Sequence, residues 1–425
     1  MAMLRILLAF HFALALANTQ PSHQESQICI IPNPLLTIPA ETCLKSSSPV
    51  KQDDQSSKKQ PPKKVWRLGG LCLGLRADKH CVFANPTFNH GEGITVITTM
   101  KSMSAIATRP VFTGERNERP GEIEPNATGP YREVVIEGKG IGLVATRKIR
   151  AGELIMALTP SVMVSEDAVK SLSKRDLSAL LVRASEQLPS HHKENIEKLS
   201  THSETKTQEE KLHKILETNS FRTGYHDGDN PFYSLFTEIS RINHDCRPTC
   251  AYYFDHRDFH QRVLALRDIE PDEELTITYY DPIQTHSVRQ EILHKEWGFQ
   301  CACKRCSADA STIAESNHRV TQIQALKNEL DDHSAASNGS SEKAETLVSL
   351  YKEEGILGRL NDAYYRAAIE YIGVGDIENA KKYATLCIDH GLLFIGPDRP
   401  FIKEMQQLIE NPTGHPKWEF RLKKN

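Results

Sequence analysis

Cys301, Cys303 and Cys306 form a C-x-C-x-x-C cluster. Three thiols so close fit one metal ion better than separate disulfides, and zinc takes four thiolates tetrahedrally. The natural fourth is Cys246, in the polar stretch Arg241-Ile-Asn-His-Asp-Cys-Arg-Pro-Thr249. Disulfide pairing is the competing arrangement. In the same stretch Asn243 and His244 set an amide and an imidazole beside the thiol, where a plain polar turn is the alternative. Glu274-Leu-Thr-Ile-Thr-Tyr-Tyr280 is a β-branched run ending in two phenols. A strand tyrosine usually packs, but an oriented hydroxyl can also steady charge developing in a transition state. Upstream, Glu137-Gly-Lys-Gly-Ile-Gly-Leu143 either turns a hairpin or lets the backbone approach a ligand closely.

Taken together and in their order along the chain, the four motifs resemble the core of a SET-domain protein lysine methyltransferase, over roughly Tyr131 to Cys306. The resemblance is to the SMYD-like branch, but no cysteine lies between Cys81 and Cys246, so the zinc-binding MYND module of that branch is absent. It implies a β-rich SET fold and an S-adenosyl-L-methionine cofactor held by Lys139, Gly140, Ile141, Gly142, Asn243 and His244. Phe299 would cover the adenine ring and Tyr279 would be catalytic. The implied reaction is an in-line displacement at a sulfonium methyl by a neutral lysine amine, which demands positioning and exclusion of water more than acid–base side chains. Zinc on Cys246, Cys301, Cys303 and Cys306 would tie the tail to the cofactor loop. The family pattern continues Ser-Cys-x-Pro-Asn, whereas this chain has Asp245 and Thr249 at the departing positions. These departures support the rival expectation of an inactive SET-fold protein that presents its helices to a partner. The substrate expected of the active form is a lysine in a histone or another protein.

The elements that must position these residues are legible in outline. Tyr131–Glu137 and Ile141–Thr146 read as strands around Gly138-Lys-Gly140, and Glu153–Ala157 as a further strand. Residues 165–221 change to helical periodicity, with Ser173-Lys-Arg-Asp176 as a capping start and Leu177, Leu180, Leu181 and Ala184 on one face. The expected order is a SET domain over 130–282 with this helical insertion, a zinc-bound post-SET segment over 283–310, and a helical domain over 311–425. In that last domain Ser311–Asp332 reads as a helix and Ser334–Ser341 as a flexible linker. Ala363, Tyr364, Ala367, Ala368 and Tyr371 share one face before the Gly373-Val-Gly-Asp376 break, and this spacing resembles a tetratricopeptide hairpin able to hold a peptide. The fold class expected is therefore α+β.

The rest of the chain bounds its setting. Its 425 residues exceed one ordinary domain, and a net charge of −3 gives no general attraction to nucleic acid or anionic membrane. No direct nucleic-acid binding and no transmembrane segment are expected. Arg5, the apolar run Ile6–Leu16 and the small-residue site Ala15-Leu-Ala17 read as a signal peptide over 1–17. Residues 18–65 read as a disordered linker, and residues 66–129 hold short β-like runs with no assigned fold. Export would oxidise Cys29, Cys43, Cys72 and Cys81 into two disulfides and expose Asn126 to glycosylation. Translation from Met100 or Met103 would instead give a cytosolic or nuclear protein lacking all four cysteines.

Overall fold

A computed structural model describes residues 66–74, 79–113, 129–201, 203–224, 231–334 and 336–422. The leader, the linker, Cys29, Cys43 and Asn126 lie outside the described residues. Strands β1 (Arg67–Leu73), β2 (His80–Asn85) and β3 (Ile94–Thr99) run into helix α1 (Met100–Ala107), whose first turn is capped by Thr99 accepting from Ser102 N. Next come the hairpin β4 (Tyr131–Ile136) and β5 (Gly140–Ala145), then β6 (Leu154–Leu158) and β7 (Val162–Ser165). The helical insertion holds α2 (Glu166–Ser171), α3 (Lys174–Glu186), α4 (Ser190–Glu197) and α5 (Gln208–Asn219). Ser165, Ser173 and Thr207 cap three of these helices, each accepting from a backbone N–H three residues on.

Short strands β8 (Phe221–Thr223), β9 (Phe232–Leu235) and β10 (Asn243–His244) precede the hairpin β11 (Cys250–Asp255) and β12 (His260–Ala265) and the strand β13 (Glu274–Ile277). Helices follow: α6 (His286–Trp297), α7 (Ala310–Asp331), α8 (Ser341–Glu354), α9 (Leu360–Gly373), α10 (Ile377–Phe394) and α11 (Pro400–Glu410). Among the described residues no helix is long and apolar enough to cross a membrane.

Three sheets result, and the chain is α+β. One has the order β1-β2-β3-β7-β9-β8, another β10-β13-β5-β4, and the third β11-β12-β6. The 66–129 stretch, left without a fold above, thus supplies half of the largest sheet. Its last strand pairs in parallel with β7, Thr95 opposite Val162, so its partners lie well along the chain. The apolar face of the insertion, Leu177, Leu180, Leu181 and Ala184, closes over Val82, Ile97, Val162 and Val164 of that sheet. Cys72 and Cys81 stand opposite one another on β1 and β2 and form a disulfide. A second core, including Leu143, Met156, Ile242, Val263 and Leu275, joins the two smaller sheets.

The C-terminal helices have their own core. Ala363, Tyr364, Ala367 and Ala368 on α9 are all buried against neighbouring helices, and Tyr371 stacks on Tyr383 of α10. The small-residue face is therefore spent inside the domain rather than lining an open groove. The described part of the stretch read as a flexible linker is held in place: Ser337 is buried and its hydroxyl donates to the Glu329 carbonyl.

Candidate functional site

The glycine hairpin, the Asn-His pair and the strand that leads to Tyr279 share one sheet. β10 runs parallel to β13, with Asn243 opposite Thr276 and His244 opposite Ile277, while β13 pairs on its other edge with β5. Gly138 and Gly140 both hold positive φ, of 72° and 79°, the backbone that lets so short a hairpin turn. A Cβ on Gly140 would meet nothing within 4 Å, so this side of the hairpin is open. Gly142 is glycine for a different reason: a Cβ there would lie 2.5 Å from Ile136 Cδ1 and 2.6 Å from Asn243 Nδ2.

Glu274, at the start of β13, binds two of these pieces together. It accepts from Asn243 Nδ2 at 3.1 Å through one oxygen and from Lys139 Nζ at 2.6 Å through the other. The Lys139 side chain is thereby committed within the protein. Ile141 remains partly exposed on β5. His244 is buried; its Nδ1 accepts from the Tyr279 amide at 3.2 Å, which fixes the ring. Tyr279 donates its hydroxyl to the Ile242 carbonyl at 2.9 Å. Burial, with the Glu274 carboxylate adding to it, raises the Tyr279 hydroxyl above the ordinary phenol range, so it stays a neutral donor. Tyr279 also packs on His244 and Trp297, with ring centroids 5.2 and 5.3 Å apart. Phe299 is half-buried in the same aromatic cluster, 6.3 Å from His244.

The four thiols converge. The ligand atoms of Cys246, Cys301, Cys303 and Cys306 all lie within 4.8 Å of one another, and all four residues are buried. Cys246 Sγ stands 3.9 Å from Cys301 Sγ and 3.5 Å from Cys306 Sγ. Those are non-bonded separations rather than disulfides. They bracket the spacing of about 3.8 Å that tetrahedral Zn–S bonds of about 2.3 Å require. The donor set therefore fits zinc. The local chain explains the geometry: Gly298 ends α6 in the left-handed conformation, and Gln290 clamps Cys301 by donating to its carbonyl at 2.9 Å and accepting from its amide at 2.8 Å.

Sequence reasoning missed the surroundings of this cluster. Arg289 is wholly buried on α6, with Nη2 3.8 Å from Cys306 Sγ, and Tyr280 donates to Cys246 Sγ at 3.0 Å. Four thiolates on one divalent ion leave two negative charges, and a buried guanidinium offsets part of that excess. Arg247, next to Cys246, reaches Glu354 at the end of α8, where Nη2 meets Oε1 at 2.6 Å. Arg319 and Ser316 of α7 bond the same carboxylate, so Glu354 links the helical domain to the loop that carries Cys246. No spacing in the sequence announces these pairs, because each depends on elements far apart in the chain.

The two departures from the family pattern have local structural roles. Asp245 Oδ1 accepts from Arg247 N at 2.7 Å and shapes the turn that presents Cys246. Burial, with the Cys303 thiol beside it, lifts this carboxyl to about 6. Thr249 exchanges bonds with Thr276: its amide donates to the Thr276 hydroxyl at 3.0 Å and its hydroxyl accepts from the Thr276 amide at 2.8 Å. Neither side chain displaces Asn243 or His244.

Residues 140–280 match the SET domain family model, and this stretch is a SET domain. The match ends before Cys301. Histone-lysine N-methyltransferase set5 of Schizosaccharomyces pombe is 28% identical over 315 residues, 69% of this chain and 88% of that protein. Histone-lysine N-methyltransferase SMYD3 of Homo sapiens is 36% identical over 93 residues, and the chain spans only 21% of its length. The Neurospora SET domain protein DIM-5, a histone lysine methyltransferase of solved structure, aligns over 36% of this chain and 53% of that chain, at 16% identity and a TM-score of 0.20.

Proposed function

We propose that this SET-domain chain is a protein-lysine N-methyltransferase that uses S-adenosyl-L-methionine and acts on a histone or another protein. The observation that carries the proposal is the meeting of Gly140–Gly142 and Asn243–His244 on one sheet, with Tyr279 just past its strand bonded to His244 and packed against the cysteine tetrad. When bound, the cofactor supplies an electrophilic methyl group on a sulfonium. The open backbone at Gly140 and the Asn243 amide would hold its amino-acid end, and Phe299 would cover its ring. Asn243 is pre-set for this by Glu274, so little side-chain freedom is lost on binding.

The remaining task is to align a neutral amine and keep water out. Tyr279 serves both: it is half-buried against His244 and Trp297, and its hydroxyl is a neutral donor fixed at a known place. Burial disfavours the charged form of an entering lysine, which frees its lone pair. Asp245 and Thr249 fit this reading, since both are absorbed in turn and strand contacts. Zinc on the four cysteines would fix the Trp297–Phe299 segment over the site without entering the reaction. The leader reading adds entry into the secretory route, which N-terminal sequencing of the endogenous protein tests: a mature start near Asn18 supports it, and an intact Met1 or a start near Met100 removes it.

The deciding experiment is calorimetric titration of zinc-replete protein with S-adenosyl-L-methionine, followed by transfer of labelled methyl groups to a histone mixture and a cell extract. Saturable binding with lysine labelling is expected. A folded, metal-loaded protein that binds no cofactor would leave only the interaction-protein alternative.

A further inference from the structure

A cavity of ≈ 330 Å³ lies between β11 and the helical domain. Tyr252 and Tyr279 wall it on the SET side, and Leu357, Phe394, Arg359 and Arg399 on the helical side. Its lining contains two guanidiniums and no carboxylate. Among the described residues Arg359 makes no ion pair or side-chain hydrogen bond. Arg399 donates Nε to the Ile395 carbonyl at 3.1 Å, which leaves both of its terminal nitrogens uncommitted. The neighbouring carboxylate is engaged elsewhere: Asp398 pairs with Arg257 at 3.1 Å and with His256 at 3.7 Å.

The two guanidiniums also feel each other. Burial, and after it the charge of Arg359, pull Arg399 below its ordinary range, with the Asp398 carboxylate opposing them only in part. Arg359 is exposed and Arg399 half-buried along this partly open cavity, so two like charges face it and attract a group of opposite sign. The cavity shares Tyr279 with the proposed methyl-transfer site, so a peptide whose lysine reaches that site could run along it. A bare lysine would add a third positive charge. A carboxylate carried on the same peptide would cancel the excess, and the planar guanidinium fork is shaped to bind that group through paired hydrogen bonds.

We propose that Arg359 and Arg399 form an acidic-residue subsite, and that the substrate is a protein segment in which Asp or Glu flanks the methyl-accepting lysine. The proposal rests on the methyltransferase reading for what is transferred, but the arginine site can be measured without transfer. Three labelled peptides serve as probes: a lysine flanked by glutamates, and the same peptide with the glutamates replaced by glutamines or by lysines. Binding to the full, zinc-loaded chain is followed by anisotropy, and methyl transfer by isotope incorporation. The parent should prefer the glutamate peptide by about 10-fold, the scale of one well-placed charge pair. Arg359→Gln with Arg399→Gln should erase that preference while cofactor affinity stays unchanged, and Arg399→Glu should favour a lysine-flanked peptide instead. Unchanged melting temperature and zinc content identify variants that are folded.

Equal binding of both peptides by the parent overturns the subsite, as does a preference that survives the double substitution. Loss of cofactor affinity in the double variant also overturns it, by showing that the arginines hold the cofactor's own carboxylate. Arginine-dependent binding without methyl transfer supports the subsite and counts against the methyltransferase reading. Methyl transfer indifferent to the flanking charge does the reverse.

Discussion

Tyr279 and Gly142 carry different parts of the site, and substitutions should separate them. Removing the Tyr279 hydroxyl leaves the ring packed on His244 and Trp297 but takes away the fixed donor. Tyr279→Phe should therefore cut methyl transfer by about 10- to 1000-fold, the scale for one oriented polar group, with little change in calorimetric cofactor affinity. Full activity of that variant would exclude the hydroxyl from the reaction. Gly142→Ala should do the opposite. Its Cβ would collide with Asn243 Nδ2 and Ile136 Cδ1 and push the Asn243 amide off Glu274, so cofactor affinity should fall first. Unaltered affinity would show that Asn243 is not the cofactor's anchor. That the stretches holding Asn243 and Tyr279 lie together was legible because each sits in a short motif. Glu274 was visible within its motif, but its role in tying Asn243 to Lys139 was not: it joins Lys139 from 135 residues away and Asn243 from 31.

At the scale of elements, the cysteine segment behaves as a clasp whose parts are local except for one. Cys301, Cys303 and Cys306 follow α6 directly, and Cys246 arrives from the loop after β10. Cys303→Ser should lower the zinc content of purified protein from about one ion per chain to none. It should also speed amide exchange from Trp297 onward while leaving α3 and β7 protected. Metal analysis that finds no zinc in the reduced parent, or mapping that finds these cysteines in disulfides, would remove the clasp. The hairpin β4–β5 and the helix caps of the insertion could be read directly, since turn glycines and capping serines act over a few residues. The large sheet could not. Its central join, β3 beside β7, pairs strands separated by a whole hairpin, and nothing in the composition of 66–129 names that partner. The anchoring of Ser337 was hidden for a similar reason: a Ser-, Ala- and Gly-rich stretch reads as loose until the neighbour that takes its hydrogen bond is known.

At the scale of the whole molecule, Glu354 joins the SET domain to the helices. It is buried and shared by Arg247, Arg319 and Ser316, so Glu354→Gln should cost about 3–5 kcal/mol in denaturant unfolding, the usual penalty for breaking a buried charge pair. Burial alone would raise this carboxyl, but Ser316, Arg247 and Arg319 more than reverse that and hold it below the ordinary range. The unfolded carboxyl then takes up its proton first, and the stabilisation is lost as pH falls through the folded value. His390 adds an earlier step: burial pushes it from 6.5 down to about 4, with Nε2 donating to the Leu357 carbonyl at 2.8 Å, so its contribution fades as pH drops across that interval. The His390 contribution is read as the difference in thermal midpoint between the parent and His390→Gln, which should shrink as pH falls from 6.5 to about 4; Asp245, raised to about 6, opposes it in the parent's own profile, and a difference unchanged across that interval would contradict the assignment. The sheet that carries Gly140 and Asn243 also has a consequence in time. Its contacts close over long stretches of chain, whereas α7 to α11 are joined by short turns between neighbours, and chains with local contacts fold faster than chains with distant ones. During refolding, helical circular dichroism should therefore recover before the capacity to bind cofactor. A newly made chain would pass through a helical but inactive stage, and simultaneous recovery of the two signals would show that the domains fold as one cooperative unit.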